Sequence, residues 1–205
     1  MSHPPGCQCG DADAHVILEG VQNSLYQYID RDRVVALNGE EGKDAKVVIR
    51  PWDERNQEEE WLESDADEQL ILQIPFTGNI KLRSILVKAG PAGYTPDKLQ
   101  VFANQALDFD EATSVDVTQS FDVAVTREVV EYAVRPAKFP SVTSLTLFFP
   151  SNHGEDTTRI SFVGFKGEYS ALTRDPIITV YEAQANPADH AKIPGLDSTA
   201  GSRIG

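Results

Sequence analysis

The chain has 205 residues, 40% of them hydrophobic and 24% charged, with 12 Pro and 14 Gly. That composition excludes a largely disordered, collagen-like or low-complexity chain, and the length suits one domain of generous size or two small ones. Acids outnumber bases by 32 to 18, a formal charge of −14, so nucleic acid and anionic membrane are poor partners.

Met1 to Asp13 reads as a polar tail with Pro4-Pro5 and no periodic apolar signal. It lacks the basic-then-apolar pattern of a secretory signal. Ser24 and Gln27 have capping-box spacing, and Leu25, Tyr28 and Ile29 fall on one helical face, so a short helical segment is expected, its apolar content running through Val34, Val35 and Leu37 to a stop at Asn38-Gly39. Val47-Val48-Ile49 reads as a first strand cut by Pro51. Trp52 and Trp61 bracket an acidic loop and are expected to pin it. From Asp53 to Glu68 nine acids stand against Arg55, a local charge of −8. Such a run is either a solvated, self-repelling loop or a docking patch for a basic surface, with Glu58, Glu59, Glu60, Asp65, Asp67 and Glu68 as its candidate contacts.

Leu70, Leu72, Ile74 and Phe76 alternate as a clear strand, and Thr77-Gly78-Asn79 signals a hairpin turn into the next. There Ile80 and Leu82 share one face but Ile85 and Val87 the other, so a bulge or burial on both faces is expected near Arg83-Ser84. Gly90 to Gly93 is a loop. Strands follow at Leu99–Ala103, Phe121–Val125, Glu128–Val134, Val142–Phe149 and Arg159–Lys166, with Gly164 marking a close approach or bulge, and a last one at Ile177–Tyr181. Asn104 to Ser114 is polar and turn-rich. Residues 14–184 form the domain by this reading, and 185–205 a tail. Eight to ten short strands without alternating helices specify an all-β sandwich or jelly roll and argue against an α/β nucleotide-binding fold. Leu70, Leu72, Ile74, Leu145, Leu147, Phe162 and Ile178 are expected in the core.

Chemistry-bearing motifs are sparse. No phosphate loop, dinucleotide fingerprint, nucleophile elbow or His-Glu-x-x-His pair occurs. His153 alone of the four His lies among the strands, in a Ser151–Asp156 loop with no implied base–nucleophile geometry. His3, Cys7, Cys9 and His15 have ligand chemistry for zinc or copper, but the tight Cys-x-Cys spacing reads as a tail holding two ordinary thiols. It is not a Cys-x-x-Cys redox pair either. Two Cys and no Asn-x-Ser/Thr sequon favour a reducing intracellular address. Asp65-x-Asp67-Glu68 and Asp108-x-Asp110 offer calcium oxygens but read as turn chemistry. No enzyme activity and no cofactor are expected.

A set of segments resembles the PITH domain family, whose name abbreviates "proteasome-interacting thioredoxin". They are Ser64–Leu70, Ile74–Asn79 with Lys81-Leu82, Val101–Asn104, Leu107–Asp110, Lys138-Phe139 with Val142 and Leu145, Asp156–Thr158, and Phe162–Glu168. Cys7-Gln8-Cys9, Pro51–Arg55 and the stretches Tyr181–Ala183 and Asn186–His190 are similar to the stand-alone members. The resemblance implies a jelly-roll β-sandwich of the galactose-binding-like kind. It also implies a non-catalytic module that in thioredoxin-bearing relatives attaches to the 26S proteasome. A cytoplasmic address extending to the nucleus is expected. The alternative for such a fold is a small-ligand or carbohydrate site, with Trp52, Trp61 and Tyr94 stacking on a sugar and Asn104, Asn152 and Asp156 accepting its hydroxyls.

Overall fold

The computed structural model describes residues 23–171. Eight strands are present among them: β1 (Val35–Leu37), β2 (Leu62–Glu63), β3 (Leu70–Ala89), β4 (Lys98–Ala103), β5 (Gln119–Asp122), β6 (Val130–Ala133), β7 (Val142–Phe149) and β8 (Arg159–Ser170). All their pairings are antiparallel. The hydrogen-bonded order β2-β8-β3-β7-β4-β5 folds back on itself through β3, which is shared. The first part of β3, Leu70–Pro75, lies between β1 and β7. Its last part, Asn79–Ala89, pairs with β8 on one side and, over Ser84–Val87, with β6 on the other. Leu70, Leu72, Ile74, Leu145 and Leu147 are fully buried in the resulting core with Leu82, Ile85, Val87, Val163 and Phe165. Ile71, Phe102 and Phe148 point to the opposite face of the first sheet, where α1 (Phe109–Ser114) covers them with Phe109 and Ala112.

The expected hairpin at Thr77–Asn79 is absent; β3 runs straight through it. Gly78 serves a different need there. A Cβ at that position would come within 2.6 Å of the Tyr169 ring and 2.9 Å of the Ser170 carbonyl. Its missing side chain makes room for Tyr169, which stacks on Tyr28 at 3.8 Å. The bulge expected near Arg83-Ser84 is present as a register shift between Leu82 and Ser84. It turns Ile85 and Val87 into the same core as Ile80 and Leu82, and consequently turns Ser84, Leu86 and Lys88 to the outer face, because a one-residue slip exchanges the two faces of a strand.

The N-terminal segment and Val47–Ile49 take different forms from those expected, for different reasons. The short N-terminal helical segment is present as two 3-10 turns, Tyr26–Tyr28 and Arg31–Arg33, followed by β1, with no side-chain cap on either turn. Leu25 N–H donates to Phe165 O and Asp30 N–H to Pro75 O; bonds to neighbouring strands take the place of a helical ladder while Leu25, Ile29 and Val34 are buried. Val47–Ile49, by contrast, finds no ladder partner and forms a 3-10 turn, Ala45–Val48, capped by Asp44. Asn104–Ser114, expected as turns, contains α1, whose capping box is Asp108 with Glu111. The strand at Ile177–Tyr181, the core position Ile178 and the C-terminal tail lie outside the described residues.

Candidate functional site

The bulge explains why the acidic loop sits where it does. The outer face of β3 and β8 presents Leu86 and Phe162, and the chain from Arg50 to Trp61 lies over it: Trp52 meets Phe162 edge-on at 6.3 Å. Phe162 is thus buried, as expected, but on this outer face. Arg50, only 7% exposed, clamps the loop. Its Nε donates to Val47 O (2.6 Å), Nη1 to Gln57 Oε1 (3.1 Å), and Nη2 to both Glu60 O (2.7 Å) and Ser161 O (2.8 Å). Asn38, held at φ 61, clamps the second half. Its carbonyl takes Asp65 N–H, its Oδ1 takes Ala66 N–H, and its Nδ2 donates to Asp67 Oδ1 and Gln69 O. Glu68 gives its carbonyl to the Thr158 hydroxyl. The acidic run is therefore solvated but held in one shape.

Several hollows border it among the described residues, and three of them matter here. Glu59 and Glu60 share one of about 420 Å³ with Lys43 and Trp61. Asp67 and Glu68 line another, of about 580 Å³, with Asn152, Glu155 and Asp156 from the β7–β8 connection. Glu155 thereby joins the acidic surface although it is 87 residues from Glu68, a neighbourhood that sequence order hides. The third hollow, about 290 Å³, lies beside Glu58 and is basic: Lys88, Arg127 and Arg159 line it with Trp61, Gly90 and Pro91.

Arg159 and Glu63 form the firm corner of that cleft. Arg159 Nε donates to Glu63 Oε2 at 2.8 Å, and the Glu63 carboxylate also accepts from Thr157 (2.7 Å) and Trp61 Nε1 (2.9 Å). Burial pushes the Glu63 carboxyl up, but these three donors and the Arg159 charge outweigh it and hold the group below its ordinary value.

The residues proposed for a sugar do not assemble into one site. Trp61 and Tyr94 do meet, but around Arg159, whose guanidinium carbon is 5.1 Å from the Trp61 centroid and 4.1 Å from that of Tyr94. Lys43 also lies over Trp61, at 4.8 Å, and Arg55 over Trp52, at 4.3 Å. Each ring is thus engaged by a cation. Asn104 is bonded to Ser141 O and to the Thr143 and Ser144 amides, at the start of β7. Asn152 follows the end of β7 and binds the Glu155 and Thr157 carbonyls and the Gly154 amide. The eight residues of β7 separate the two by roughly 25 Å.

Elsewhere, the Ser151 hydroxyl donates to Asp97 Oδ1 at 2.6 Å and so is engaged with a carboxylate rather than with His153, whose backbone N–H goes to Thr95 O. Asp108 is engaged in capping α1. Among the described residues no group of three or more His, Cys, Asp or Glu is placed to hold a metal. His3, Cys7, Cys9 and His15 lie outside them.

The family model described as "PITH domain" matches residues 15–185. A PITH domain-containing protein of Drosophila pseudoobscura is 40% identical over 188 residues, covering 90% of this chain and 88% of its own. Another, of Schizosaccharomyces pombe, is 35% identical over 198 residues, covering 94% of this chain and 95% of its own. Among solved structures, a CBM32 domain of Clostridium perfringens, determined in complex with GalNAc-β-1,3-galactose, aligns with TM-score 0.50 at 8% identity over 70% of this chain and 99% of that one. That likeness is one of fold, the galactose-binding-like jelly roll.

Proposed function

The chain belongs to the PITH domain family, and on that premise we propose that it is a non-catalytic protein-interaction module that associates with the 26S proteasome, presenting its acidic face to a basic surface. The observation that carries the docking face is the clamping of residues 50–69 by Arg50 and Asn38. A run of like charges left free would have to be ordered on binding, at an entropic cost; here the backbone is already fixed and the carboxylates of Glu59, Asp65, Asp67, Glu155 and Asp156 are exposed on it. Opposite charges across such an interface speed and orient encounter. The reading implies a cytoplasmic and nuclear place of action.

The test is capture of purified 26S proteasome on the immobilised full chain, at about 50 mM and about 300 mM salt. Capture should fall at the higher salt. A Glu59→Lys, Asp65→Lys, Glu155→Lys variant should fold normally and lose capture about tenfold. Capture insensitive to both salt and charge reversal would move docking to another face. No capture at all would refute the partner.

A further inference from the structure

The basic cleft is an anomaly on a molecule of net charge −14. Lys88 forms its floor. The residue is 4% exposed, and the only partner of its ammonium among the described residues is Glu58 Oε1, at 3.2 Å. The Glu58 side chain is itself 71% exposed. A buried cation is costly unless well paired, and a carboxylate lying mostly in water is a weak, easily displaced counter-ion. Arg127 and Arg159 face the same space. Arg159 is oriented by Glu63 and by the Trp61 and Tyr94 rings, so its position does not depend on a ligand. With Glu58 in place, three cations and the carboxylates of Glu58 and Glu63 leave this corner one positive charge in excess, and the group that now meets the Lys88 ammonium is a carboxylate, the chemistry this corner accepts. The hollow, about 290 Å³, holds one side chain and a short length of backbone.

We propose that this cleft is a carboxylate-binding site that receives an Asp or Glu side chain of an acidic peptide segment from a partner protein, with Glu58 as the internal stand-in that the ligand displaces. The site is distinct in sign from the acidic face and does not rest on the proteasome reading. It has an unusual signature: removing an acid from an acidic protein's cleft should matter more than overall charge suggests. Glu58→Gln removes the competitor and should tighten binding, whereas loss of either Lys88 or Arg127 should weaken it.

The experiment is an NMR titration of the 15N-labelled full chain with three probes: the peptide Ac-Ala-Ala-Glu-Ala-Ala-NH2, the same peptide with Gln in place of Glu, and inorganic phosphate. The Glu peptide should shift the Trp61 indole N–H and the Gly90 amide, and the Gln peptide should not. Lys88→Met, which keeps the stem volume, should weaken binding by about tenfold or more, Arg127→Gln by about threefold, and Glu58→Gln should strengthen it by about threefold. Arg127 is exposed, so its variant tests the site without burdening the fold. Equal shifts from both peptides, weaker or unchanged binding by Glu58→Gln, shifts with phosphate alone, or no shift with any probe would each overturn the proposal.

Discussion

Replacing Arg50 by Met removes a guanidinium while keeping most of the stem that packs under the acidic loop. Three of its four hydrogen bonds go to backbone carbonyls on separate segments: Val47 before the loop, Glu60 at its end and Ser161 on β8. At roughly 1 kcal/mol net for each bond, the value of an ordinary neutral bond and below that of a charged donor because part of the site would rehydrate, the three sum to about 3 kcal/mol. A domain of this size loses roughly 2–4 °C of melting temperature per kcal/mol, so the variant should melt about 6–12 °C lower. Arg50→Lys retains the charge but not the fork of donors, and should fall about halfway. Urea denaturation supplies the free energy and hydrogen exchange locates it. Amides from Arg55 to Trp61 should lose protection, while those of β7 should change only with global stability. If Arg50→Met stays within about 0.5 kcal/mol of the parent, a shift typical of an inconsequential surface change, and the loop keeps its protection, then Trp52 and Trp61 hold the loop and the clamp argument is wrong.

Three further outcomes are expected. Glu63 and Glu131 are both held below their ordinary values: burial raises each, and Thr157, Trp61 and Arg159 in one case, Lys166 and Ser84 in the other, more than reverse it. Their contribution is therefore complete above the unfolded carboxylate value of about 4.3 and is lost as pH falls through the lower folded values, so the urea midpoint should drop in acid, and Glu63→Gln should flatten that limb. Gly167→Ala would press a Cβ against the Lys81 carbonyl in the middle of the β3–β8 ladder, where neither backbone can retreat; a loss of about 1–3 kcal/mol by thermal melting is expected, and a neutral result would refute the close packing. Asn38→Gly tolerates φ 61 but loses the side-chain bonds to Ala66, Asp67 and Gln69, whereas Asn38→Ala also bears the backbone strain, so Ala should be the worse variant by about 1 kcal/mol in denaturant melts.

Period-2 alternation made Leu70–Phe76 legible as a strand, and the phase change at Arg83-Ser84 correctly announced a bulge, because both are recorded in adjacent residues. Thr77-Gly78-Asn79 misled because a glycine that admits a neighbour's ring looks the same in sequence as a glycine that turns. Capping-box spacing occurs at both Ser24-x-x-Gln27 and Asp108-x-x-Glu111; bonds to β8 prevail over it at the first, and only at the second does it start a helix. The acidic run was legible as charge. Its clamps were not: Arg50 reaches Ser161 across 111 residues, and nothing local marks it as buried. The basic cleft was invisible for the same reason, since Lys88, Arg127 and Arg159 come together only after β3 bulges and β8 returns alongside it.

The strand Leu70–Ala89 belongs to both sheets, and this governs how the molecule comes apart. In a sandwich joined only by loops, one layer could fray while the other endured. Here a single unbroken ribbon threads both layers, so melting either one strips the partners from the other. Loss of structure is then all-or-none, and damage at the edge of one layer is felt as a fall in the stability of the whole.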